Sequence, residues 1–157
     1  MSVPAGNLPP MRVLVQRCTE AWVTSDGVEV GRIEAGLCCL VGFTPTDDDS
    51  VVQRMAEKLW HLRIFDDDAG VMNVSAADST RSFLLVSQFT LYGDARKGRR
   101  PSWIDAARPE QAEPLFEALT GALTDMGATV ETGRFRTAMQ VGLINDGPVT
   151  LMLELSS

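Results

Sequence analysis

From Met11 onward, apolar and polar positions alternate. Val13 and Val15 interleave with Arg12, Leu14 and Gln16, and Ala21 and Val23 carry the pattern on to Ser25. A period of two is the mark of a strand covered on one face. Asp26-Gly27 supplies a hairpin turn, Val28 to Ile33 returns as a second strand, and Gly36 to Phe43 predicts a third, more deeply buried one. After Thr46 the spacing changes to a helical one. Val51, Val52, Met55, Leu59 and Leu62 fall on one face, with Thr46 or one of Asp47 to Asp49 as the cap. At 100° per residue His61 lies about 200° from Leu59 and points to solvent.

Asp66-Asp67-Asp68-Ala69-Gly70 breaks the helix pattern, and Arg81 to about Leu91 predicts another strand. A loop with Gly93, Gly98 and Pro101 follows. A second helix is expected from near Pro109 to Met126, burying Leu115, Leu119, Ala122 and Met126 and stopping at Gly127. Thr129 to Phe135, Ala138 to Ile144 and Val149 to Leu155 predict three closing strands. Strands clustered in this way, without repeated βαβ units, predict an α+β fold. Its largely antiparallel sheets would close as a barrel-like core with two helices, in a single domain over 11–157. Met1 to Pro10 holds three prolines and no charge, and is expected to be a disordered tail.

Composition narrows the classes. At 157 residues and 45% hydrophobic content the chain can bury a core of its own. The longest apolar run, Gly36 to Phe43, is too short to span a bilayer, and the N-terminus lacks the order of a secretory signal, so a cytoplasmic location without membrane contact is expected. Cys38 and Cys39 are adjacent in a strand and must point to opposite faces, which makes the three cysteines packing residues. A single histidine and no Cys-x-x-Cys pair leave no basis for a metal site, and no cofactor is expected.

A net charge of −7 argues against a protein that coats nucleic acid along its whole surface. The cations are nonetheless uneven. Arg96, Lys97, Arg99 and Arg100 fall within five positions, either as a solvated loop or as a local phosphate contact.

Two motifs put polar groups where a packed strand should continue. Ser87-Gln88-Phe89-Thr90-Leu91 closes the run Phe83-Leu84-Leu85-Val86, and Asn145-Asp146-Gly147-Pro148-Val149-Thr150 opens the run from Val149. Ser87 and Thr90 carry hydroxyls, but such groups need a base to become nucleophiles, and the one histidine points away. If the strand ends here, the N–H groups of Phe89 and Thr90 lose their ladder partners and become donors for a developing oxyanion. Asn-Asp-Gly-Pro is ordinary turn chemistry. With a cis Gly147-Pro148 bond, the two carbonyls would face one side as a rigid acceptor pair.

Together the two motifs resemble those of the D-aminoacyl-tRNA deacylase family, whose signatures are Ser-Gln-Phe-Thr-Leu and Asn-x-Gly-Pro-Val-Thr. The resemblance runs from Met11 to about Leu155. It includes Gln16-Arg17, Leu62-Arg63-Ile64-Phe65, Met72-Asn73, Lys97-Gly98 with Arg100-Pro101-Ser102, and Gly133-Arg134-Phe135. It implies hydrolysis of the ester that joins a D-amino acid, or glycine, to the terminal adenosine of tRNA, with L-aminoacyl-tRNA rejected. It further implies a homodimer with active sites at the interface, each cis Gly147-Pro148 reaching into the partner's pocket. By the same resemblance Ser87, Gln88, Phe89 and Thr90 hold the ester and adenosine, Phe135 and Met139 line the pocket, and Arg17 supports the Gly-Pro geometry.

The family mechanism that suits a missing base has the ribose 2′-hydroxyl taking part and the Phe89 N–H stabilising the oxyanion; Thr90 as nucleophile is the competing assignment. A neighbouring family that corrects L-alanine on a threonine tRNA lacks the counterparts of Phe89 and Val149. This chain departs from the usual pattern at Arg136 and Thr137, where the family usually has glycine and a small residue, and at Trp103, which replaces a usual phenylalanine. The alternative from a different class is a non-catalytic nucleic-acid-binding protein using the cations of 96–100.

Overall fold

The computed structural model describes residues 8–157, so most of the expected tail, 1–7, lies outside the described residues. Leu8 to Pro10 are half-buried, and the Pro10 carbonyl oxygen is 2.9 Å from the Tyr92 hydroxyl. Strand β1 (Met11–Ser25) turns through Asp26 and Gly27, both at positive φ, into β2 (Val28–Ile33), followed by β3 (Gly36–Gly42). Helix α1 (Asp49–His61) starts at Asp48, whose carboxylate accepts from the Val51 N–H at 3.1 Å. His61 is exposed, as its position on the helix predicted. β4 (Phe65–Asp66) and β5 (Met72–Val74) form a small separate sheet, too short to leave a periodic trace in the sequence. The remaining elements are β6 (Ser82–Ser87), a 3-10 turn (Phe89–Tyr92), α2 (Pro109–Asp125), β7 (Val130–Thr132) and β8 (Met139–Leu155).

The main sheet runs β2-β1-β3-β6-β7, with β8 paired to β1. Pairs made by β1 are antiparallel, whereas β3–β6 and β6–β7 are parallel. β1 keeps β8 on one edge over its whole length, while its other edge passes from β3 at Arg12 to Cys18 to β2 at Ala21 to Ser25. That change of partner curls the sheet. Its two end strands approach so closely that a Cβ on Gly31 of β2 would lie 3.0 Å from the Thr132 carbonyl of β7, and the sheet is nearly closed as a barrel.

Two apolar layers share this sheet. Met11, Val13, Val15, Leu37, Cys39, Val41, Phe83 and Leu85 face the two helices, where Met55, Leu59, Phe116, Leu119 and Leu123 meet them. Cys38, Leu84 and Val86 face the other way, against Ala21, Val23 and Ile33. β3 and β6 are therefore buried on both faces, which is why they read as unbroken apolar runs. Each fully buried Leu or Phe contributes about 1.5–3 kcal/mol.

Two expectations need correcting. The strand predicted over Arg81 to Leu91 stops at Ser87, because the chain turns into a 3-10 helix at Phe89. The three closing strands are two. Thr129 to Phe135 shrinks to β7, and the last two merge into β8, which carries the Asn145 to Thr150 motif inside it as a bulge. Gln16 pairs with Thr150 and Cys18 with Asn145, so Asp146 to Val149 stand opposite Arg17 alone. The strand resumes its register beyond the bulge because β1 offers a continuous edge to pair with.

Candidate active site

At the end of β6, Gln88 N–H still donates to the Val41 carbonyl at 2.8 Å, and then the ladder stops. Tyr92 fixes the turn that follows. Its buried hydroxyl accepts from Arg12 N–H at 3.0 Å and lies 2.9 Å from the Gly42 carbonyl, and burial pushes its ionisation well above the ordinary tyrosine range. In a 3-10 turn the leading N–H groups have no carbonyl before them to bond, so the Phe89 and Thr90 amides carry no intrahelical bond.

Beside this turn opens a cleft of about 480 Å³. Ser87, Gln88 and Phe89 form one side, Trp103 and Ala107 a second, Pro109 and Ala112 at the start of α2 a third, and Phe135 to Thr137 with Met139 the fourth. Phe89 meets Trp103 edge-on at 5.5 Å between ring centroids, and Phe135 meets Phe116 in the same way at 5.2 Å. Phe89 is 55% exposed, an unusual setting for a large aromatic side chain at a strand end and one that leaves a flat face for a planar ligand. The loop carrying Phe135 is pinned by Ser25, whose hydroxyl donates to Thr137 Oγ1 at 2.8 Å, and by Thr137, whose hydroxyl donates to the Arg134 carbonyl at 2.9 Å.

Among the described residues the lining contains no histidine, cysteine, aspartate or glutamate. No three metal-ligating side chains come together elsewhere among them either. Thr90 stands next to the cleft but outside its lining, with its hydroxyl in contact with the Gln88 side-chain amide.

The second motif lies elsewhere on the chain. Gly147-Pro148 is cis, exposed, and absent from the cleft lining, with Gly147 at φ 125°, where an L side chain is strained. Asn145 braces the bulge from within: its Oδ1 accepts from Val149 N–H at 3.0 Å and its Nδ2 donates to Thr150 Oγ1 at 2.9 Å. Arg17 is 7% exposed beneath it. Its Nε donates to the Asp146 carbonyl at 3.1 Å, and its Nη1 donates to the Ile64 carbonyl at 2.9 Å and to Asp66 at 3.2 Å. Within one chain, then, Ser87 to Phe89, Phe135 and Met139 come together, while Arg17, Gly147 and Pro148 form a separate group.

The basic run occupies a third place. Arg96 is tied to its neighbour Asp94 through Nε at 2.9 Å and Nη2 at 2.7 Å, and this pair holds the Asp94 carboxyl down at about 2. Lys97, Arg99 and Arg100 are exposed on the same loop and do not line the cleft. The Asp94–Ser102 bridge closes the base of that loop directly before Trp103, so the run rises from the cleft's edge. Sequence reasoning passed over Ala106, Ala107, Pro109 and Ala112 as cleft residues. Small apolar side chains at a helix start carry no chemical signal.

Residues 14–154 match the model of the family described as D-Tyr-tRNA(Tyr) deacylase. The chain belongs to this deacylase family. Relatives named D-aminoacyl-tRNA deacylase include one from Halalkalibacterium halodurans, 53% identical over 92% of this chain and 99% of the relative. Others come from Brevibacillus brevis, 56% identical with the same coverage, and Nocardia farcinica, 56% identical over 92% of this chain and 99% of the relative. Among solved structures, one called c-Myc DNA Unwinding Element Binding Protein superposes with a TM-score of 0.88 at 35% identity, covering 94% of this chain and 100% of that one. A second, described as a probable eukaryotic D-amino acid tRNA deacylase, has a TM-score of 0.79 at 17% identity over 92% and 99%, a likeness of fold. Membership makes this chain a hydrolase, and no helix among the described residues is long and apolar enough to cross a membrane.

Proposed function

We propose that this deacylase hydrolyses the ester between a D-amino acid and the terminal adenosine of tRNA. It releases both, acts likewise on glycine carried by a non-cognate tRNA, and spares L-aminoacyl-tRNA, so that it proofreads chirality in cytoplasmic translation. The observation that carries this reading is the pairing of an ended strand with a baseless cleft. Freed N–H groups at Phe89 and Thr90 stand beside a cavity whose described lining holds no histidine, cysteine, aspartate or glutamate to act as a general base.

In this mechanism water attacks the ester carbonyl with the ribose 2′-hydroxyl assisting proton transfer. The Phe89 N–H takes up the negative charge on the carbonyl oxygen, and the 3′-oxygen leaves with a proton. The exposed Phe89 face stacks on the adenine, while Phe135 and Met139 bound the pocket.

Chirality is read by Gly147-Pro148 of a second copy of the chain, whose carbonyls crowd an L side chain and leave D and glycyl esters room. Support for a homodimer lies in β8, which pairs only with β1 among the described strands and exposes Val141, Ile144, Leu151 and Met152. Arg17 positions the bulge, and Lys97, Arg99 and Arg100 meet tRNA phosphates.

The deciding experiment is deacylation of D-tyrosyl- and L-tyrosyl-tRNA by purified protein without added metal. The D-ester should be cleaved and the L-ester left nearly intact. Equal rates on both would discard the chirality assignment. The solved relative named for binding a DNA element favours a second reading, nucleic-acid binding without catalysis. DNA binding as tight and as salt-sensitive as tRNA binding, with no ester cleavage, is its signature.

A further inference from the structure

Among the described residues Arg136 is the only charged side chain lining the cleft, and its backbone is in the left-handed region at φ 58°. An L side chain there is strained where glycine is not, and strain kept at a cleft wall points to a use for the side chain. Stability does not supply that use. The one ion pair Arg136 makes among the described residues, Nη2 to Glu110 Oε1 at 3.4 Å, is exposed on both sides, and such pairs contribute little.

The same pair is suited to exchange. Glu110 has a second partner, Arg108, whose Nε lies 3.6 Å from the other carboxylate oxygen. If Arg136 leaves, Glu110 therefore keeps a cation. Arg136 is thus parked at the mouth of the cleft by a weak contact that it can give up without stranding a charge.

We propose that Arg136 grips the phosphodiester on the 5′ side of the terminal adenosine, exchanging Glu110 for the phosphate as the substrate's 3′ end enters. This inference rests on the deacylase reading above and deepens it by naming the residue that holds the last internucleotide phosphate. A guanidinium matches phosphate oxygens with a two-pronged donor set, which an ammonium does not. The net charge of −7 makes a local cation necessary wherever the RNA backbone comes close. The phosphodiester is also the one anion that every aminoacyl-tRNA brings to this position, whatever its amino acid.

The test compares D-tyrosyl-tRNA with D-tyrosyl-adenosine, which has the ester and the base but no phosphate. In Arg136→Gly, KM for the tRNA should rise about tenfold relative to KM for the adenosine ester, with kcat on the tRNA little changed. The slope of log KM against log salt should become shallower by about 0.7, as expected for one lost phosphate on a single strand. Arg136→Lys should fall between the two. Glu110→Gln, which releases Arg136 from its parking contact, should lower KM for the tRNA. Folding is controlled by thermal melting, because glycine suits this φ and the variant should melt no lower than the parent.

An equal rise in KM for both substrates would overturn the proposal in favour of a role in pocket shape. A loss confined to D-aspartyl-tRNA and absent with D-tyrosyl-tRNA would overturn it in favour of side-chain reading. An active parent with an unaltered Arg136→Gly variant defeats this inference alone, whereas a parent inactive on every D-ester defeats the deacylase reading with it.

Discussion

Arg17 donates from Nε to the main-chain carbonyl of Asp146 at 3.1 Å, joining a residue of β1 to the bulge that interrupts β8. The same guanidinium holds the Ile64 carbonyl and the Asp66 carboxylate, so one buried side chain ties together three segments distant in sequence. Arg17→Ala would leave the Asp146 and Ile64 carbonyls and the Asp66 carboxylate without this donor. The expected loss is about 2–4 kcal/mol of stability, read from urea unfolding, with a larger relative loss of D-over-L discrimination than of overall binding. Arg17→Lys keeps the charge and loses the fork, and should recover only part of both.

Asn145 is the internal brace of the same bulge. Asn145→Ala removes the acceptor for Val149 N–H and the donor to Thr150, at a cost of about 1 kcal/mol. Its functional signature should be selective. Cleavage of the L-ester should rise while cleavage of the D-ester stays near the parent rate, measured side by side on the two tyrosyl-tRNAs.

Thr90 has a side-chain amide as its hydroxyl's partner and no base beside it. Loss of a working nucleophile costs about 10⁴–10⁶ in kcat. Thr90→Ala should instead stay within about tenfold of the parent in single-turnover deacylation, because the main-chain donors survive the substitution. A loss of the larger size in a folded variant would make Thr90 the nucleophile.

The thiols give a prediction on pH. Burial pushes Cys18 up to about 11 and Cys38 up to about 12, and raises buried Cys39 as well, from an ordinary 9.0. A raised folded-state value means that the stability from keeping these thiols neutral is complete below about pH 9 and lost as pH climbs through 11 to 12. The urea midpoint should fall over that interval. At pH 8 a thiol-specific reagent should find all three cysteines unreactive in the native protein and all three reactive once it is unfolded.

Much of the main sheet was legible because burial on one or both faces leaves a periodic or continuous apolar trace, as in Met11 to Ser25 and Phe83 to Val86. The merging of the last strands was not, because Asn-Asp-Gly-Pro is turn chemistry locally and only the long partner edge of β1 carries the strand past it. Phe116 and Leu123 were missed as core residues because α2 buries a wider face than its regular spacing outlines. At the cleft, Ser87, Gln88 and Phe89 belong to the first motif, and Phe135 and Met139 were expected only through the family resemblance, while Ala107, Pro109 and Ala112 were not expected, since nothing in their chemistry sets them apart from packing residues.

The amino-acid order alone determined that there is one core with two helices, that polar groups interrupt strands at two places, and that no side chain in the first motif has a histidine to activate it. These follow from local periodicity and from chemistry that residue identity fixes. Only the tertiary structure decided that β6 ends at Ser87 with free amides beside a cavity, that Arg17 sits under a bulge of β8, and that Arg136 meets Glu110 across the cleft mouth. Each of these depends on which segments the curled sheet brings side by side, and such a long-range contact leaves no mark on the residues between its ends.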